Sequence, residues 1–318
     1  MDSTTKEIIL DIFPYLRVYK DGTVERVAGT EVVPAGVDPK TDVLSKDIII
    51  VPETNVSARL YRPNSINNNQ KLPLLVYFHG GAFCIASAAE PSYHNSLNQL
   101  VSKANIIIVS VDYRLAPEHP LPAAYEDSWT ALRWVASNAA AAENEGWLKD
   151  HADFDRVFLA GDSAGANIAH HMALRAKNPD PDRKLNLQGI ILIHPYFWGK
   201  DPIGVESEDL RKALVESWWE FVCPSDKGCD DPYINPFVDG APSFQGISCD
   251  KVLVCVAEND ILSSRGKLYY ESLVTSGWQG RAEIVETKGE DHVFHIFNPD
   301  CDNARALIQR WASFINEK

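Results

Sequence analysis

The residues Gly161-Asp162-Ser163-Ala164-Gly165 arrive directly after the run 155–160, whose apolar stretch Val157-Phe158-Leu159-Ala160 reads as a buried strand. They demand a strand that turns sharply into a helix. A serine in such a bend is held with its hydroxyl exposed, and glycines are needed on both sides because side chains there would collide with neighbouring backbone. A serine presented in this way is suited to covalent acyl-enzyme chemistry. The five-residue pattern is short, so its meaning depends on whether the rest of such a site follows at workable positions.

A sheet able to carry that turn is written along the chain. The runs 71–79, 105–111, 156–161, 187–194, 251–257 and 282–286 are strand candidates, and helical patterns separate them. That alternation predicts a mostly parallel sheet flanked by helices. Leu74 to Phe78 and Ile106 to Val109 are continuously apolar, as expected of central strands covered on both faces. Residues 164–177 predict the helix after the turn, and Ala304, Leu307, Ile308, Trp311, Phe314 and Ile315 form a stripe at helical spacing that packs a final helix on the sheet. Two stretches break the alternation: the segment before about Asp47, and 199–248, which is rich in Pro, Gly and Asp around an aromatic Ser217-Trp218-Trp219-Glu220-Phe221. Insertions of this kind fold over the carboxyl edge of such a sheet, where they shape what binds.

With 45% hydrophobic and 23% charged residues, the 318-residue chain can bury one large core. A net charge of −14 argues against nucleic acid or an anionic membrane as partner. The N-terminal residues lack a cationic start and apolar stretch, and no run approaches the ~20 apolar residues of a membrane span, so a cytoplasmic protein is expected. Six cysteines without C-x-x-C spacing predict reduced, mostly buried thiols and no metal site. The assembly state stays open between monomer and weak dimer.

Serine needs a base to take its proton, and the base needs a carboxylate to fix its tautomer. Downstream, the strand 251–257 leads into Glu258-Asn259-Asp260, and Gly289-Glu290-Asp291-His292 places a histidine in a polar loop after the last strand. Asp260 and His292 are therefore the expected partners of Ser163, in a chain order known for such triads. His295 is the rival base and Glu258 the rival acid. Asp291 is expected to face solvent or cap the following turn, and His170, His171 and His194 are read as structural. The developing oxyanion needs amide donors, which His79-Gly80-Gly81-Ala82-Phe83 supplies directly after an apolar strand. The expected donors are the amides of Gly80 and Gly81, joined by Ala164. Ala82, Phe83, Trp218, Trp219 and Phe294 are candidate pocket walls.

These motifs, with Asp112-Tyr113-Arg114-Leu115-Ala116-Pro117-Glu118-His119-Pro120, resemble a plant class I carboxylesterase of the hormone-sensitive-lipase-like α/β-hydrolase branch, close to 2-hydroxyisoflavanone dehydratase-like proteins. The resemblance covers nearly the whole chain. It implies one α/β-hydrolase domain over 1–318 with lid elements at about 1–46 and 199–248, the latter inserted after the sixth strand. It implies a serine carboxylesterase for esters of small apolar plant metabolites, hormones or xenobiotics, without cofactor or metal, using Ser163, Asp260 and His292. The segment 112–120 is then scaffold beneath the site. Many members carry a third glycine where this chain has Ala82. Two other activities occur in the branch: elimination or cyclisation using the triad as acid and base, characteristically with threonine as nucleophile, and hormone binding by receptors that lack the histidine. Ser163 and His292 favour hydrolysis.

Overall fold

The continuous apolar runs become the central strands of a nine-stranded sheet, in a computed structural model that describes residues 7–67, 70–139, 145–177 and 185–317. The strands are β1 (Ile8–Ile12), β2 (Leu16–Tyr19), β3 (Val24–Arg26), β4 (Val37–Asp38), β5 (Val43–Val51), β6 (Val56–Pro63), β7 (Leu72–Phe78), β8 (Ile107–Asp112), β9 (Ala152–Asp162), β10 (Leu187–Ile193), β11 (Lys251–Ala257) and β12 (Arg281–Thr287). The helices are α1 (Pro91–Ala104), α2 (Ala123–Ala139), α3 (Gly146–His151), α4 (Ala164–Arg175), α5 (Lys212–Val222), α6 (Ser263–Thr275), α7 (Phe294–Phe297) and α8 (Asp302–Asn316).

The sheet order is β12-β11-β10-β9-β7-β8-β6-β5-β4. From β12 to β8 every pairing is parallel, while β6, β5 and β4 run antiparallel to their neighbours. Every residue of β7 is buried. Leu74, Val76 and Phe78 join one core layer with Ile168 and Met172 of α4 and Tyr269 of α6, whereas Leu75 and Tyr77 join the opposite layer with Leu97 of α1 and Trp311 of α8. Strict alternation of side chains across a strand explains why an unbroken apolar run is needed. The stripe Ala304 to Ile315 is buried in that second layer, as its spacing predicts.

All six expected strands are present. The antiparallel edge β4 to β6 and the small sheet β1-β2-β3 were not among them. The segment before Asp47 is accordingly shorter as an independent element than expected, because β4 and the first residues of β5 belong to the main sheet. The second insertion follows β10, the sixth strand of the main sheet when the two-residue β4 is set aside.

This insertion is fastened to α6 by a buried ion pair. Arg265 donates to both carboxylate oxygens of Glu206, at 2.8 and 2.9 Å, and to the Asp201 carbonyl at 2.6 Å. The two side chains are only 4% and 0% exposed. Removing one partner strands a charge away from water, which typically costs ~3–5 kcal/mol, whereas replacing both by apolar groups costs far less. Arg265→Met is therefore expected to lower the unfolding free energy by about 3 kcal/mol or more, and Arg265→Met/Glu206→Leu to recover much of it. Urea denaturation checks this, and a single-variant loss under about 1 kcal/mol contradicts it.

Candidate active site

Ser163 stands where β9 turns into α4, with φ 52° and ψ −117°. That region is costly for a side-chain-bearing residue, of order 1–3 kcal/mol, and it persists because the neighbours hold it. Its N–H donates to the Ile193 carbonyl at 2.8 Å, and its carbonyl accepts from Tyr196 at 3.0 Å. The flanking glycines are required by contact rather than by φ. A Cβ on Gly165 would lie 1.9 Å from the Phe78 carbonyl oxygen, and one on Gly161 2.3 Å from Gly165. The turn is thus pressed against the end of β7.

The structure brings the expected triad residues together. The Ser163 hydroxyl lies 2.9 Å from His292 Nε2, and His292 Nδ1 lies 2.8 Å from Asp260 Oδ2. Asp260 sits just beyond β11, where its other oxygen accepts the Leu262 N–H at 2.9 Å. A carboxylate on Nδ1 places the imidazole proton there and leaves Nε2 free to accept from the serine. Burial works to lower the His292 pKa, but the attraction and hydrogen bond of Asp260, helped by Asp162 and Asp291, hold it above the ordinary 6.5. Burial opposes ionisation of Asp260, and His292 overcomes it, keeping the carboxyl below its usual range. The rivals are elsewhere: Glu258 pairs with Lys288 at the surface, and His295 is fully buried against Trp311, its pKa pushed down to about 3 by burial.

Two residues hold the His292 loop: His194, read from the sequence only as structural, and Arg211, which the sequence reading missed. His194, at the end of β10, accepts the Val293 N–H at Nδ1 over 2.9 Å; burial keeps this imidazole well below its ordinary range and so neutral. Arg211, from the second insertion, donates to Asp291 at 2.9 Å, to Asp209 at 2.8 Å and to the Asn259 carbonyl at 2.8 Å. Asp291 itself accepts the His292 N–H at 2.7 Å and lies largely in solvent, the first of the two placements expected, with Arg211 paired to it. Ligand-competent atoms of His194, Asp260 and His292 lie within 4.8 Å of one another; Asp260 and His292 are bonded to each other, while His194 Nε2 has no hydrogen-bond partner among the described residues.

The turn after β7 corrects one expectation. The Gly80 N–H is not free for an oxyanion: it donates to Asp162 Oδ1 at 3.1 Å and to the Tyr93 hydroxyl at 2.9 Å. Asp162 also accepts from the hydroxyls of Tyr77 and Tyr93, each at 2.8 Å. Burial drives its carboxyl up to about 6 against the pull of those two tyrosines. Among the described residues the amides of Gly81, Ala82 and Ala164 have no acceptor. Ala82 adopts φ 50°, a conformation glycine takes without cost, and a Cβ on Gly81 would lie 2.3 Å from the Ile85 carbonyl oxygen.

Ser163 and His292 open into a cavity of about 500 Å³. Tyr15 and Gly29 come to it from the N-terminal segment, and Leu214, Val215 and Trp218 from the second insertion. Of the candidate walls, Ala82 and Trp218 line it. Phe83, Trp219 and Phe294 do not: Phe83 packs on Tyr125 and Trp219, Trp219 donates to the Gly228 carbonyl, and Phe294 packs on His194 and His295. Of this adjacent pair on α5, Trp218 lines the cavity while Trp219 is turned to the Gly228 carbonyl.

A sequence profile described as an alpha/beta hydrolase fold matches residues 75–296. The chain is 60% identical over 318 residues to "Probable carboxylesterase 2" of Arabidopsis thaliana, covering 100% of this chain and 99% of that one. It is 46% identical over 316 residues to "2-hydroxyisoflavanone dehydratase" of Glycine max, covering 98% and 99%. Among solved structures, the Pyrobaculum calidifontis esterase superposes with a TM-score of 0.69 at 31% identity, over 85% of this chain and 84% of that one.

The packing of the turn on β7 is directly testable. Gly165→Ala should destabilise the protein by about 3 kcal/mol, whereas Gly146→Ala, with no neighbour nearer than 3.9 Å, should change it by less than about 0.5 kcal/mol. Denaturant melts report both values, and equal stability of the two variants would contradict the close contact.

Proposed function

The chain belongs to the α/β-hydrolase family and is a carboxylic ester hydrolase, and from that premise we propose that Ser163, His292 and Asp260 perform the reaction through an acyl-enzyme. The observation that carries this reading is the unbroken chain of hydrogen bonds from the Ser163 hydroxyl through His292 to buried Asp260.

Ser163 Oγ attacks the ester carbonyl while His292 Nε2 takes its proton. Asp260 holds the ring by Nδ1 and stabilises the imidazolium that forms. The negative charge on the carbonyl oxygen is received by the amides of Gly81, Ala82 and Ala164, whose lack of internal acceptors suits them to it. His292 then protonates the departing alkoxide as the C–O bond breaks, leaving acyl-Ser163. Water enters, His292 removes its proton, and the same steps in reverse release the acid and the serine.

The cavity volume and its lining by Ile85, Leu214, Val215, Trp218 and Ile261 support esters of small, rather apolar molecules. The resemblance to plant relatives makes metabolites, hormones or xenobiotics the natural class. We read the N-terminal segment and the second insertion as lid elements of one hydrolase domain, since both contribute to the cavity wall and Tyr15 meets Trp218 at 5.8 Å between ring centres. No described helix is long and apolar enough to cross a membrane, and all six cysteines are free thiols, which supports a reducing compartment such as the cytoplasm.

The dehydratase relatives give elimination a place as a second reading, in which proton removal by His292 dominates and Ser163 is not acylated. An ester panel and a 2-hydroxyisoflavanone separate the two. Hydrolysis predicts ester turnover that falls by ~10³ or more in Ser163→Ala. Conversion of the isoflavanone without ester turnover would establish elimination instead.

Because His292 must be neutral to act as base and its pKa is raised, kcat/KM should fall with decreasing pH along a limb centred above 6.5. Asp260→Asn should move that limb downward and reduce kcat by ~10⁴. A limb below 6.5 in the wild type, unmoved by the substitution, would contradict the Asp260–His292 coupling.

A further inference from the structure

Almost every polar side chain in the cavity wall is already engaged by the protein. Arg211, the only Arg or Lys of the wall among the described residues, is surrounded by Asp209, Asp291 and the Asn259 carbonyl. Asp162 is saturated by two tyrosines and the Gly80 amide, and the Tyr196 hydroxyl donates to the Val215 carbonyl at 2.7 Å. Glu90 is different. It precedes α1 and lines the same cavity, yet its one side-chain hydrogen bond is from the Ser92 hydroxyl to Oε1, at 2.8 Å. Among the described residues no cation pairs with the carboxylate; besides the Ser92 hydroxyl, only the first amides of α1 draw on it. Although Glu90 occupies the N-cap position, its side chain closes no capping bond to the helix.

Glu90 lines the same cavity as Ser163 and His292. Glu90 is one helical turn from Tyr93, and the Tyr93 hydroxyl touches Asp162, the residue beside Ser163. Burial pushes the Glu90 carboxyl up, with Glu31 adding to the effect, against the pull of Ser92 and the first amides of α1. A carboxylate in a cavity wall with no cation against it is complemented by a ligand that brings a donor to it, most of all a charged one. An anionic ligand meets the opposite situation, because Arg211 is already neutralised and the chain carries a net charge of −14.

We propose that Glu90 determines specificity in this cavity by selecting esters that carry a hydrogen-bond donor, an ammonium or a hydroxyl, away from the scissile bond, and by rejecting those that carry a carboxylate there. This rests on the esterase reading. It deepens it by giving an otherwise apolar cavity one polar demand on its substrate.

The test compares 4-nitrophenyl esters of straight-chain acids of about four to eight carbons that end in ammonium, hydroxyl, methyl or carboxylate, alongside acetate esters bearing the same termini on the alcohol. In the wild type, the ammonium or hydroxyl ester should exceed its methyl counterpart in kcat/KM at one chain length, and the carboxylate ester should be the poorest. Glu90→Gln should reduce the ammonium-to-methyl ratio by about tenfold or more, mostly through KM, while the methyl ester stays within about twofold. Glu90→Lys should turn the preference toward carboxylate. Melting curves of both variants with unchanged methyl-ester turnover separate selection from a helix-capping role.

Ratios identical in wild type and both variants, at every length and on both sides of the ester, would overturn the assignment while leaving the esterase reading intact. Absence of turnover of any ester by the wild type would overturn both.

Discussion

The contact between the end of β7 and the turn at the end of β9 is the constraint on which the site depends. The two strands are adjacent, and Gly161 and Gly165 let the turn press against the Phe78 carbonyl. That approach sets Ser163 beside the amides of Gly81 and Ala82 without any long-range loop having to find its place. Asp162 then ties the two strand ends together, because its carboxylate gathers the Gly80 amide from one side and two tyrosine hydroxyls from β7 and α1. Burying that carboxylate is unfavourable, as its elevated pKa of about 6 shows, and the cost is offset by three donors in fixed directions. The bonds at the strand ends therefore also tie the turn after β7, which carries the proposed oxyanion donors, to the residue beside Ser163, and stabilising developing charge calls for donors placed in advance.

His292 is held by a different principle. Its loop is not part of a regular element, and it is fixed by bonds to neighbours on both sides: His194 on the Val293 amide and Arg211 on Asp291. Arg211 belongs to the insertion that also supplies Leu214, Val215 and Trp218 to the cavity wall. The position of the base and the shape of the cavity are thus coupled through one segment, itself anchored to α6 by Arg265 and Glu206. A substitution in this insertion that shifts the segment is expected to move substrate selection and the base together.

What the sequence made legible divides along physical lines. The central parallel strands were readable because strands buried on both faces must be continuously apolar, the edge strand β12 from its place in the alternation, and the proposed triad because its members stand just after strand ends in a known order. The small sheet β1-β2-β3 and the strands β4 and β5 were not, since Ile9, Val37 and Ile49 are exposed and charged residues break the alternation, and in β6, though mostly buried, Arg59 and Arg62 interrupt the apolar run. The glycine pair at 80–81 marked the turn beside Ser163 that we propose as the oxyanion corner, but not which of its amides are free. That depends on Asp162 and Tyr93, a contact between residues distant in sequence. Facing directions were similarly out of reach: Trp218 and Trp219 carry the same side chain, and the packing of α5 alone decides which one meets the cavity. His194 left no local signal beyond being a histidine at a strand end.

The central claim is that Ser163 becomes covalently bound to the acyl group, and peptide mapping after reaction with a phosphonate ester measures it most directly. The phosphonate is a stable stand-in for the tetrahedral adduct, so a single modification should appear on the tryptic peptide containing Ser163, with loss of ester turnover in proportion to labelling. Turnover that persists in the fully treated protein, or a modification at the same rate in Ser163→Ala, would contradict the account.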